Sequence, residues 1–258
     1  MKPKLNNRKW IAFKPELDTW LALASVLAMT GIYYFNTNYG FDHPFIFFFG
    51  FIFLGHLILN TALPAYVVLK MRGEGLEGLG IGRNWLLTSI FISAVLGASM
   101  YPSLKVALDG FDGDPLPNIA YNAIAFWEPL FVFGWLQLRF ERAFGIIAGI
   151  LMAALSFAAY HIGSFPMEGL IVLFLTGTFY GLVFAIVRNL VVLIPITWAI
   201  ASTMGTIQGG FSFDWLTVGI YLGVLIMQIA ILAHFVKKAR IENDFHTAFS
   251  TIPILEKA

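Results

Sequence analysis

Eight stretches of almost unbroken apolar residues alternate with short polar breaks along this chain. They fall near 19–36, 44–69, 85–104, 118–138, 144–163, 168–187, 190–207 and 214–236. Each is close to the ~20 residues an α-helix needs to cross the hydrocarbon of a bilayer. None alternates with period two, so barrel strands are excluded. The breaks carry Gly, Pro, Asn or charge, as turns between helices do. The pattern predicts an all-α, polytopic membrane bundle of about eight transmembrane helices.

Composition says what solvent that bundle meets. The 258 residues are 59% hydrophobic and 12% charged, against about 25% charged in soluble domains. A water-soluble core could not hide so much apolar surface, so membrane lipid surrounds the protein. The basic residues give the orientation. Lys2, Lys4, Arg8, Lys9 and Lys14 precede the first run. Lys70, Arg72 and Arg83 follow the second, Arg139 and Arg142 the fourth, Arg188 the sixth, and Lys237, Lys238, Arg240 and Lys257 the eighth. Only Lys105 falls on the other side, together with Asp42, Asp109, Asp112, Asp114, Glu168 and Asp214. This is a positive-inside distribution. It predicts cytoplasmic termini and a multi-pass protein of the plasma membrane. The first run lacks a small-residue cleavage site and reads as a retained helix. One transmembrane domain is expected over 1–258, with short polar cytoplasmic tails at 1–18 and 237–258. A net charge of +1 without a basic patch argues against nucleic acid. With no cysteine there is no disulfide, no thiolate metal site and no Cys nucleophile.

Against this apolar background two ionisable residues stand out. Glu128 has no charged neighbour between Asp114 and Arg139, and His161 ends the next apolar run. An ionisable group inside the membrane is costly and marks a functional site by default. The midpoint of the pair falls at Phe144 and Gly145, and Gly145 suits a hairpin turn. Two antiparallel helices leaving that turn would carry Glu128 and His161 to the same depth, ~24 Å from it. Pro129 follows Glu128 and would free the Ala125 carbonyl by kinking the helix. His56 and Asn60, one turn apart, could line the same cavity or fasten helices together. Asn118 and Asn122 suit a solvated outer mouth. Thr197, Ser202, Thr203 and Thr206 place hydroxyls on the seventh helix. Gly145 with Gly149, and Gly177 with Gly181, have the spacing that lets helices approach closely.

The chemistry these residues can run is limited. No Lys lies inside an apolar run, which removes a Ser–Lys dyad and a Schiff-base lysine. A catalytic zinc needs three protein ligands plus water. Glu128 and His161 are weak candidates for two of them, with only His56 as a third, so a divalent metal is not the expected cofactor. A carboxylate removed from water can instead act as general base on a water molecule, with an imidazole orienting that water or steadying the oxyanion.

The run Trp127-Glu128-Pro129-Leu130-Phe131-Val132-Phe133-Gly134-Trp135, with Phe157-Ala-Ala-Tyr-His161 further on, resembles the CAAX protease and bacteriocin-processing family. These are glutamic-type intramembrane endopeptidases, and the resemblance covers roughly residues 118–206. The family's motifs are Glu-Glu-x-x-x-Arg-Gly, then Phe-x-x-x-His, then His-x-x-x-Asn or Asp. Glu128 matches the catalytic glutamate, Gly134 the glycine, and Phe157 and His161 the second motif. Pro129 stands where the second glutamate belongs and Phe133 where the arginine belongs. Trp198 and Ser202 stand where the third motif has histidine and asparagine.

The resemblance implies an endopeptidase acting on a membrane-associated peptide or lipidated protein. Glu128 and His161 would be catalytic, with Trp198, Ser202, Phe157, Pro129 and His56 lining the site. A relative that has lost proteolysis and acts as a membrane binding or scaffold protein is the alternative. A small proton-coupled transporter using Glu128 and His161 as a relay is a third reading. Family processing is associated with the cytoplasmic side, whereas the charge pattern puts the pair in the middle or outer half of the membrane. A deep cavity open inward would reconcile the two.

Overall fold

The computed structural model describes residues 9–40 and 43–250, so Lys2, Lys4, Arg8, Asp42 and Lys257 lie outside the described residues. The chain folds as a bundle of helices: α1 (Leu17–Gly40), α2 (Ile46–Met71), α3 (Leu86–Asp109), α4 (Pro115–Phe144), α6 (Met167–Val187) and α8 (Trp215–Ser250) are the long ones. The shorter α5 (Ile146–Ala159) and α7 (Ile196–Gln208) complete the set. Among the described residues, six helices are long and apolar enough to cross a membrane. The fifth and seventh apolar runs were expected to span as well. Their helices have 14 and 13 residues, about 20 Å at 1.5 Å per residue, short of the ~30 Å hydrocarbon core. Each run is cut by its own loop. The chain turns at Tyr160–His161, and Pro195 and Gly209 bracket α7. Residues 237–250, expected as a polar tail, continue α8 as helix.

At the centre lies α4. Leu130, Phe131, Val132, Phe133, Trp135 and Leu136 are wholly buried, as a helix apolar on every side must be when protein surrounds it. By contrast α3 and α6 show Phe91, Val95, Val172, Leu175 and Ile186 on the outer surface, where lipid is the fitting solvent. The bundle closes tightly where its glycines permit. A Cβ on Gly177 or Gly181 of α6 would press on Ala154 or Ile150 of α5, which is the close approach the small-xxx-small spacing predicts. Gly145 has a different duty. It is the hairpin turn between α4 and α5, at φ +91°, and a Cβ there would strike the Trp10 carbonyl at 2.5 Å.

The N-terminal segment explains that contact. Ala12 and Lys14 donate backbone hydrogen bonds to Phe144 and Ala143, and Lys9 and Trp10 accept from Ile146 and Ile147. Two otherwise orphaned N–H groups at the start of α5 are satisfied in this way.

One end of the bundle is tied by charge. Buried Arg139 of α4 contacts Asp18 of α1 (3.4 Å) and Glu74 after α2 (2.9 Å), and Arg72 reaches Asp18 (3.0 Å). Arg142 also pairs with Glu74, and Arg188 after α6 pairs with Glu141. Burial opposes ionisation of Glu74, but its bonds to Arg139 and Arg142 outweigh that and hold its carboxyl below the usual glutamate range. The opposite end carries Asp114 and Asp214, whose carboxylates cap the starts of α4 and α8, with Glu168 in the first turn of α6.

Candidate active site

The two halves of α4 meet at an inverse γ-turn. Ala125 (φ −72°, ψ 62°) ends the first half, and Phe126 N–H bonds to the Ile124 carbonyl. Helix resumes at Trp127. Pro129 therefore sits in a first turn, where its missing N–H costs nothing. The expected mid-helix kink at Pro129 is replaced by this break one turn earlier, and Pro129 is buried and does not line the cavity. The break leaves Glu128 near the positive end of the new helical segment, a favourable place for a carboxylate.

His161 arrives from the other side of the Gly145 hairpin, just past the end of α5. Its Nδ1 lies 2.8 Å from the Phe157 carbonyl. A carbonyl only accepts, so Nδ1 donates, and in the neutral form of the ring Nε2 is then an acceptor. The Phe-x-x-x-His spacing has a physical reason here, since the last carbonyls of a helix need a partner. Nε2 lies 3.7 Å from Glu128 Oε1. Two acceptors at that separation cannot bond each other, but a water molecule can donate to both. The hairpin thus brings together the two residues that the sequence placed at equal depth.

Tyr160 is the partner that sequence reading missed. Its phenol donates to Glu128 Oε1 at 2.6 Å and fixes that oxygen. Tyr33 of α1 packs on His161 with ring centroids 4.9 Å apart.

Glu128 and His161 sit deep in a cavity of about 1000 Å³, which Phe157, Trp198 and Ser202 also line. The Trp198 indole N–H lies near the Glu128 carboxylate, outside hydrogen-bond geometry, and no other group bonds it. Ser202 donates to Asn122 Oδ1 at 2.6 Å. Asn122 is buried and lines the cavity, not a solvated mouth. Asn118 is buried as well, and fastens the backbone of Phe211 and Phe213.

Two departures from the family motifs touch each other. Phe133, in the arginine's place, and Trp198, in the histidine's place, pack edge to face at 5.6 Å. Gly134 is held to glycine because a Cβ there would lie 2.6 Å from the Leu79 carbonyl.

His56 does not line the cavity. Its ring is caged by Trp127 (4.0 Å), Phe51 (4.4 Å) and Tyr221 (5.6 Å), and neither nitrogen has a partner. Trp127 stands between α2 and the space beside Glu128. Without His56, Glu128 and His161 offer two donors where a catalytic zinc needs three. Among the described residues no three His, Cys, Asp or Glu side chains gather. The residues present do not fit a catalytic metal.

The cavity reaches the bundle end opposite the ion pairs. Gln208 at the end of α7 and Ser212 beyond it line the cavity there and are exposed, while Asn36 and Gly40 at the end of α1 line it from buried positions.

Fold and site together define a multi-pass helical membrane protein with a buried Glu–His pair facing a large cavity. Residues 116–203 match the family model of the type II CAAX prenyl endopeptidase Rce1-like proteins, about a third of the chain. The match is consistent with membership of the CAAX protease and bacteriocin-processing family, as the motifs imply, and the matched segment holds both Glu128 and His161. Comparison with curated proteins and with solved structures gives no match.

Proposed function

We propose that this protein is a CAAX-type intramembrane endopeptidase of the plasma membrane, with Glu128 as general base and His161 as the group that orients water. The single observation that carries the reading is the 3.7 Å approach of His161 Nε2 to Glu128 Oε1 deep in the cavity. Water donating to both would be held for attack. Glu128 takes one proton as the water oxygen bonds to the scissile carbonyl carbon. The oxyanion meets the unpartnered Trp198 N–H, a donor already desolvated and in place. Glu128 then returns the proton to the departing nitrogen, the C–N bond breaks, and a carboxylic acid and an amine leave. The substrate class is a peptide or lipidated protein segment at the membrane.

Glu128→Gln keeps the shape and removes the base. Peptide cleavage in proteoliposomes should fall by about 10²–10⁴, the usual worth of general-base catalysis, with the thermal midpoint unchanged. Wild-type rates in the variant would overturn the proposal.

A second reading, a binding protein without hydrolysis, is favoured by the Phe133–Trp198 contact, which fills the region of two family polar groups with apolar rings. Absence of turnover by the wild-type protein across a membrane-peptide library, with retained peptide binding, would favour it over the first.

A further inference from the structure

We infer that the site is reached from the non-cytoplasmic face of the membrane, so the segment it acts on is one exposed on that side. Two independent observations meet here. Arg72, Arg139, Arg142 and Arg188 gather at one end of the bundle, and clustered basic residues mark the cytoplasmic side. The cavity is open at the other end, where its lining residues Gln208 and Ser212 are exposed.

The interior of α4 closes the alternative route. Below Glu128 the helix is wholly buried from Leu130 to Leu136. Beneath that plug, Arg139, Asp18 and Glu74 lock α1, α2 and α4 together. A polypeptide approaching from the basic end would have to break buried ion pairs and open a packed core. From the mouth, the cavity already leads to the carboxylate. The space also runs sideways between α3 and α6, where Met100 of one and Phe179 of the other line it. An apolar anchor still held in the bilayer could lie there while its outer flank enters from above. That the visitor is a substrate rests on the endopeptidase reading; the direction of access does not.

The chain contains no cysteine, so single introduced thiols report without background. Ser212→Cys marks the mouth, Ser202→Cys the cavity, and Asn84→Cys the basic end; Gln208→Cys is a second mouth position should Ser212→Cys fail to fold. The probe is a membrane-impermeant sulfonated methanethiosulfonate, applied to intact cells and to inside-out vesicles. Modification of Ser212→Cys and Ser202→Cys in cells only, and of Asn84→Cys in vesicles only, is the expected result. Modification of Ser202→Cys from the vesicle side, from both sides or from neither overturns the inference. Labelling of Asn84→Cys in intact cells does so too. The readout needs no catalysis. Loss of the endopeptidase reading with the expected labelling leaves the direction standing, and cleavage with reversed labelling does the opposite.

Discussion

His161 and His56 are both buried in the bundle, yet their surroundings divide them. Around His161, the Phe157 carbonyl takes the Nδ1 proton, Tyr33 packs on the ring, and Nε2 looks toward Glu128 across a cavity. Around His56, three aromatic rings close in and both nitrogens go without a partner. A buried imidazole becomes chemically useful when one nitrogen is anchored and the other is aimed into space that water can occupy. Burial alone supplies neither.

The sharpest way to break this contrast is to remove each ring. His161→Ala should cut peptide cleavage by about 10²-fold or more, while His56→Leu should cleave close to wild type. Equal losses in both, with equal folded yield, would erase the distinction. Next in size is the clasp at the basic end. Arg139→Ala removes the buried member of the clasp but leaves Asp18 with Arg72 and Glu74 with Arg142, so the loss should stay below the about 3–5 kcal/mol of a buried charge left with no partner. The unfolding midpoint in detergent should drop accordingly, and an unchanged midpoint would mean the ion pairs carry no load.

Smaller effects sharpen the comparison further. Tyr160→Phe deletes the phenol that holds Glu128 Oε1. A hydrogen bond to a carboxylate is worth about 1.5–3 kcal/mol, so cleavage should fall by roughly tenfold or somewhat more. A pH profile shared with the wild type would show that the phenol does not set the state of the carboxylate. Last comes acid. The folded protein holds Glu74 ionised to lower pH than an unfolded chain would. Its stabilisation is present above 4.5, the ordinary glutamate value, and is lost as pH falls through the lowered folded value. Thermal midpoints measured downward from neutral pH should fall less steeply in Glu74→Gln than in the wild type.

Much of the architecture was legible in the sequence. Apolar runs and their breaks locate the helices α1–α8 of the described residues, because a backbone in lipid must close its own hydrogen bonds. Length was less legible: hydropathy counts Tyr160 to Gly163 and Leu190 to Pro195 with the helices they interrupt. In the site, depth could be counted from the Gly145 turn, and that was enough to pair Glu128 with His161. Azimuth could not. His56 lies on a π-helical stretch of α2, and no residue count says that Trp127 stands between its ring and the cavity. Pro129 misled for a related reason. The break at Ala125 turns a mid-helix proline into a first-turn proline, and an inverse γ-turn has no side-chain signature. Tyr160 was in plain view inside the Phe-x-x-x-His motif. A phenol directly before the histidine of an intramembrane pair is the signal that could have found it.

The strip formed by residues 9–14 has a bearing on how the molecule is made. It lies along the Gly145 turn and satisfies the first amides of α5, although about 130 residues separate the two in the chain. During synthesis residues 9–14 cannot make these bonds until Ala143–Ile147 have been made. The hairpin that brings glutamate and histidine together is then finished by a strip made well before it. A bulky fusion that held this strip away from the turn would leave every side chain of the site present and its scaffold incomplete.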